Sequence, residues 1–212
     1  MSNRPQEHER IVNGPEQAHA TVILAHGAGA GVDTDFMTAF AEGLAGPGFR
    51  VVRFEFPYMA ERCRTGKRRP PDREPVLRQT WLDVIASIEA KTLFIGGKSL
   101  GGRIASLIAD EADVAGLICL GYPFHPTGKP DQLRVEHLQA IKTPTLVLQG
   151  ERDPFGNAEQ VRDYKLSSQI RLHWLPDGDH SFKPRVSSGR TLDENWRAAI
   201  SVFANFIKER AG

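Results

Sequence analysis

The sequence predicts an α/β protein built on a mostly parallel sheet of about six strands with helices on both faces. Six short apolar runs recur along the chain, at residues 21–25, 50–54, 92–95, 114–120, 145–148 and 170–174, and read as strands. Segments of helical periodicity lie between most of them, and alternation of this kind makes a parallel sheet because parallel neighbours need a crossover that a helix supplies. At 212 residues the chain is also long enough for one domain to bury roughly 70% of its unfolded surface.

The elements follow in order. Residues 1–17 form a polar N-terminal segment without the apolar stretch of a secretory leader, and residues 18–212 read as a single domain. The first apolar run opens into the glycine-rich His26-Gly27-Ala28-Gly29-Ala30-Gly31. The second runs into residues 55–73, which lack periodicity and carry Arg62, Arg64, Lys67, Arg68, Arg69 and Arg73. Leu77, Trp81, Leu82, Val84, Ile85 and Ile88 then recur every three or four residues, as a helix packed on a sheet requires. Ile104, Leu107 and Ile108 repeat the pattern after the third run. Residues 121–142 again lack periodicity and are too few for a full helical cap domain, so the site is expected to be open. In the last helix Thr191 and Glu194 have capping-box spacing, and Trp196, Ile200, Phe203, Phe206 and Ile207 line one face.

Composition narrows the function classes. A formal net charge of +1 gives no global field for nucleic acid or an anionic membrane, so neither is expected as a partner. Two cysteines, Cys63 and Cys119, make no disulfide framework, and no apolar run approaches the length that spans a bilayer. These readings predict a cytoplasmic protein with no cofactor and no metal.

The chemistry centres on Gly97-Lys98-Ser99-Leu100-Gly101, where a strand pattern turns into a helix pattern. This is the arrangement of a nucleophile elbow: the turn strains and exposes the serine, and glycines two residues to either side let other backbone pass close. The Gly-Lys-Ser within it does not fit a phosphate-binding loop, which needs a glycine five positions before Gly97, where Thr92 stands. Since a serine hydroxyl is a poor nucleophile at neutral pH, a base must take its proton and a third group must orient that base. Asp153, after the fifth run, and His180, after the sixth, supply both in the order Ser, Asp, His. Asp177 and Asp179 are too close in sequence to His180 to turn easily towards its ring, and Glu151 is a weaker competitor. His8, His19, His137 and His173 lie in polar, helical or strand patterns without a partner motif.

Two backbone amides are needed to hold an oxyanion. The candidates are Leu100, immediately after the serine, and Ala28 in the glycine-rich turn, with His26 as a structural hydrogen-bonding residue. The substrate-binding candidates are Phe56 and Tyr58 for an acyl pocket, Arg68 and Arg69 for an anionic group, and His125 at the mouth. The basic cluster also has a plain reading as a solvated face.

Taken together, His26-Gly-Ala-Gly, Phe54-Glu-Phe-Pro-Tyr-Met, Gly66-Lys-Arg-Arg-Pro-Pro, Gly96-Gly-Lys-Ser-Leu-Gly-Gly-Arg and Gly150-Glu-Arg-Asp-Pro-Phe-Gly resemble the small α/β-hydrolases of the testis-expressed and NSL-complex-like family. The resemblance covers roughly residues 18–210 and extends more distantly to dienelactone hydrolases. It implies the α/β-hydrolase fold without a large cap, Ser99 as nucleophile, Asp153 as acid, His180 as base, and the basic loop as a family feature. Dienelactone hydrolases carry cysteine where this chain has serine, so their substrate does not transfer. The expected function is hydrolysis of a small ester or thioester through an acyl-enzyme. The rival is an interaction module on the same fold with little or no activity, since some relatives serve in larger complexes.

Overall fold

Seven strands form one sheet within residues 10–211, the part of the chain that the computed structural model describes. They are β1 (Arg10–Asn13), β2 (Thr21–Ala25), β3 (Arg50–Phe54), β4 (Leu93–Lys98), β5 (Gly116–Leu120), β6 (Thr145–Gly150) and β7 (Ile170–Leu175). Six helices accompany them: α1 (Asp35–Ala45), α2 (Pro57–Thr65), α3 (Glu74–Ala86), α4 (Leu100–Ser106), α5 (Ala158–Val161) and α6 (Leu192–Ala211). The strand order is β1-β3-β2-β4-β5-β6-β7, parallel throughout except for β1, which pairs antiparallel with β3.

The fully buried runs of β2 and β5, covered on both faces, explain their continuous apolar sequence. On one face α1 and α6 bring Phe36, Phe40, Phe203 and Phe206 against Val22, Leu24, Ile118 and Leu146. On the other, α2, α3 and α4 bring Tyr58, Leu77, Trp81 and Ile104 against Ile23, Val52, Ile95 and Leu117. Each large side chain so enclosed contributes on the order of 1.5–3 kcal/mol. The capping box forms as its spacing predicts: the Glu194 N–H donates to Thr191 Oγ1 at 3.2 Å and the Thr191 N–H donates to Glu194 Oε2 at 2.7 Å.

Two elements correct the sequence reading. The seventh strand, β1, lies in the stretch expected to be a polar segment. As an edge strand with Ile11 and Val12 exposed, it shows none of the buried pattern that marks the others. Residues 1–9, with His8, lie outside the described residues. The second correction is α2, inside the stretch expected to lack periodicity. Only Tyr58 and Met59 of its nine residues are buried, too few to set a period. Its ends carry the helix instead: Pro57 opens it, Asp72 accepts from the Tyr58 N–H at 2.8 Å, and Gly66 closes it at φ 71° with its N–H on the Arg62 carbonyl.

Residues 121–142 hold only a 3₁₀ turn at His137–Gln139. Tyr122, Phe124, Leu138 and Ile141 tuck them into the core on the face that α4 covers. The chain leaves β2 towards β3 on one side and returns to β4 on the other. The carboxyl ends of β2 and β4 therefore flank a crevice of the kind where open α/β sheets bind ligands. Among the described residues no helix is long and apolar enough to cross a membrane.

Candidate active site

Ser99 sits in that crevice between β4 and α4, at φ 50° and ψ −110°. A non-glycine residue at this positive φ costs of order 1–3 kcal/mol, a strain the surrounding packing has to hold. The close approach expected of the flanking glycines is present: a Cβ on Gly97 would lie 2.3 Å from the Ala25 carbonyl oxygen, and one on Gly101 2.4 Å from it. The end of β2 thus presses directly on the elbow, which fixes the serine relative to the glycine-rich turn.

Three distant residues meet here. His180 Nε2 lies 2.9 Å from Ser99 Oγ, and His180 Nδ1 lies 2.7 Å from Asp153 Oδ2. Asp153 is fully buried; its Oδ1 accepts from the Phe155 N–H at 2.9 Å and its Oδ2 from Gln149 Nε2 at 3.0 Å. A carboxylate held by these donors presents one fixed oxygen to the ring, and Nδ1 then carries the proton while Nε2 is free to accept. Burial lowers the His180 pKa below its ordinary value. The Asp153 hydrogen bond opposes that shift, and the charge of Lys98 adds to it. The competing acids are engaged elsewhere. Asp177 pairs with Arg185 and Arg152, Asp179 accepts from the Ser181 and Lys183 N–H groups, and Glu151 accepts from the Asp177 N–H.

A cavity of about 400 Å³ opens over Ser99. The turn at Gly27, Ala28 and Gly29 forms one wall with Phe36 and Met37 of α1, and Phe155 and Ser181 face them beside His180. Leu100, the first residue of α4, has an N–H with no acceptor earlier in its own helix, and Ala28 lines the cavity opposite. Behind the turn, His26 is fully buried and donates from Nδ1 to the Gly27 carbonyl at 2.6 Å while Nε2 accepts from the Phe56 N–H at 3.1 Å. Burial lowers its pKa to about 4, so the ring is neutral and structural.

The substrate-binding candidates are not brought to the cavity. Phe56 and Tyr58 are buried behind the glycine-rich turn, where the Tyr58 hydroxyl donates to the Gly27 and Ala28 carbonyls, each at 3.2 Å. They brace the turn because α2 points its only buried face inward. Arg68 and Arg69 are exposed outside the cavity, Arg69 pairing with Asp72 at 3.1 Å. His125 is buried, with its N–H on the Phe155 carbonyl and its ring beside Gln160. Within the basic stretch only Arg62 reaches the turn, donating to the Gly29 carbonyl at 2.8 Å. The sequence reading missed Phe36, Met37, Lys98 and Phe155 as lining residues, and Gln149 as a support of Asp153. Lys98 and Phe155 lie within two residues of motif positions, which was the available signal. No group of three or more His, Cys, Asp or Glu among the described residues is arranged to hold a metal ion.

Comparison with known proteins places these features in a family. A family model described as an alpha/beta hydrolase domain matches residues 18–208. A carboxymethylenebutenolidase from Pseudomonas sp. (strain P51) is 31% identical over 116 residues, 53% of this chain; the match spans 45% of that relative's length. Among solved structures, a lidless α/β serine hydrolase from Xanthomonas campestris superposes with a TM-score of 0.70 at 23% identity, covering 94% of this chain and 88% of that one. A dienelactone hydrolase from Anabaena variabilis superposes with a TM-score of 0.71 at 20% identity, covering 95% and 91%. At these identities the structural matches speak for the fold alone. The chain belongs to the alpha/beta hydrolase domain family.

Proposed function

We propose that this protein is a serine hydrolase that cleaves small esters or thioesters through an acyl-enzyme. The observation that carries the reading is the unbroken line from Ser99 Oγ through the His180 ring to Asp153, at 2.9 and 2.7 Å, on a strained elbow facing a cavity. Ser99 Oγ attacks the carbonyl carbon as its proton passes to His180 Nε2, and Asp153 stabilises the imidazolium through Nδ1–H. The carbonyl oxygen, now anionic, accepts hydrogen bonds from the N–H groups of Leu100 and Ala28. Collapse breaks the bond to the leaving group, which takes the proton from Nε2. Water, deprotonated by the same nitrogen, then attacks the acyl-serine; its collapse frees the acid and restores Ser99.

The resemblance to testis-expressed and NSL-complex-like hydrolases supports serine chemistry, and the carboxymethylenebutenolidase match supports a small-molecule substrate. The substrate is short and soluble: the cavity is about 400 Å³ and among the described residues no helical cap covers it. An anionic substituent would meet Lys98, the one lysine or arginine among the lining residues. The protein acts in the cytoplasm, without a nucleic-acid or membrane partner, as a single domain over residues 18–212 to which β1 adds an edge strand. A panel of short acyl esters and acyl thioesters tests the reading. Wild type should turn over at least one of them, and Ser99→Ala should lower the rate by roughly a million-fold; equal rates in the two proteins would overturn it.

A further inference from the structure

The charged residue within the elbow has no part in the steps just described, yet it touches the base. Lys98 ends β4 and projects into the cavity, where Nζ donates to the backbone carbonyl of His180 at 2.5 Å and lies 5.4 Å from the centre of the Phe36 ring. A lysine drawn out of water beside a histidine is costly, and burial pulls its pKa down to about 8. Such a cost is retained where the cation holds something in place.

What it holds is the turn that carries the base. His180 lies between β7 and α6 on a segment bent at two non-glycine residues of positive φ, Asp177 at 50° and Phe182 at 68°. Asn195 and Trp196 of α6 hold the carbonyls of Phe182 and Ser181 on its far side, and Lys98 holds the carbonyl of His180 itself. The space at the contact is specific as well: Gly121, at the end of β5 with φ 67°, is where a Cβ would lie 2.9 Å from Lys98 Nζ and 2.8 Å from the His180 carbonyl oxygen. Glycine therefore leaves room for the ammonium and the carbonyl to meet.

We propose that Lys98 is a positioning residue, whose ammonium ties the His180 turn to the end of β4 and so keeps the imidazole over Ser99. The inference rests on the hydrolase reading of the site. Lys98 acts through His180 and not on the reacting atoms. Its charge acts in a second way. The groups facing the His180 ring are Asp153 from the end of β6, Asp179 from its own turn, and Lys98 from β4, with the Phe155 ring centred 4.4 Å away. Burial disfavours the imidazolium first, the two carboxylates favour it, and the ammonium of Lys98 adds its charge to the side of burial in keeping Nε2 unprotonated.

Two substitutions separate the tether from the charge. Lys98→Met removes both, whereas Lys98→Gln retains a donor without charge. The first readout is an NMR titration of the His180 imidazole, which requires no activity. The second is the rate of phosphonylation by a fluorophosphonate probe. In Lys98→Met the ring should titrate at higher pH than in wild type, and labelling should slow by about 10- to 100-fold, the effect of a base misplaced by about an ångström. Lys98→Gln should shift the titration in the same direction but recover part of the labelling rate. An unchanged titration together with an unchanged labelling rate in a folded Lys98→Met protein overturns the inference. Wild type that resists the probe would overturn the hydrolase reading instead, while the titration still decides whether Lys98 acts on His180.

Discussion

Each side chain in the proposed active site answers a demand made by its neighbour. Ser99 needs a base, and the base needs one nitrogen protonated and the other free. Asp153 meets the second demand by accepting from Nδ1, having itself been fixed by Gln149 and the Phe155 N–H. Asp153→Asn should therefore leave the fold intact and lower kcat by about 10⁴-fold, because the amide can stabilise the wrong ring tautomer; steady-state kinetics on any accepted ester measures it. Burial and the Lys98 charge place the His180 pKa below 6.5. The base is active when unprotonated, so the acid limb of kcat/KM should have its midpoint below 6.5. An acid limb centred above 6.5 would contradict this. His26 makes a separate prediction about stability. Its pKa falls from 6.5 in the unfolded chain to about 4 in the buried site, so the unfolded state binds more protons between those values. The resulting contribution is fully present above pH 6.5 and is lost as pH falls towards 4, amounting to about 3 kcal/mol. Urea unfolding at stepped pH should show this slope in wild type and a shallower one in His26→Gln.

At the scale of elements, the elbow depends on the end of β2 lying against β4 and α4. Gly97→Ala would set a methyl group 2.3 Å from the Ala25 carbonyl oxygen, where backbone cannot yield without parting two strands. The expected loss is about 1–3 kcal/mol, an overpacking cost, read as a lowered midpoint of thermal unfolding. This contact also shows why part of the site was legible in the sequence and part was not. Ser99, Asp153 and His180 each follow an apolar run at a recognisable turn, so local pattern and chain order singled out residues that the fold brings within hydrogen-bonding distance. The cavity walls are set by tertiary approach: Phe36 and Met37 open α1, and only the fold brings that helix start opposite Phe155. Phe56 and Tyr58 follow a strand that ends at the crevice, which pointed to an acyl pocket. Their helix turns inward, and they brace the glycine-rich turn from behind. The edge strand β1 and the helix α2 escaped notice for one reason, since each buries too few residues to leave a period.

For the whole molecule, the layout explains why the proposed reaction centre is exposed. Helices cover both faces of the sheet, residues 121–142 pack on the face of α4, and among the described residues no helical cap lies over the cavity at Ser99. An open cavity of about 400 Å³ accommodates a short acyl chain and leaves the far end of a long one in water, where burial gains nothing. Across a series of acyl lengths, kcat/KM should peak at short chains; a steady rise towards long chains would contradict the open-site reading. The basic stretch lies outside the cavity, tied to it only through Arg62 and the Gly29 carbonyl. All of this depends on one serine being activated by the residues gathered round it. Treatment of the folded protein with a fluorophosphonate, followed by peptide mass spectrometry, measures that directly. A single adduct on Ser99, absent from Ser99→Ala and from acid-unfolded protein, is the predicted result. No adduct, or an adduct on another residue with Ser99 unmodified, would contradict it.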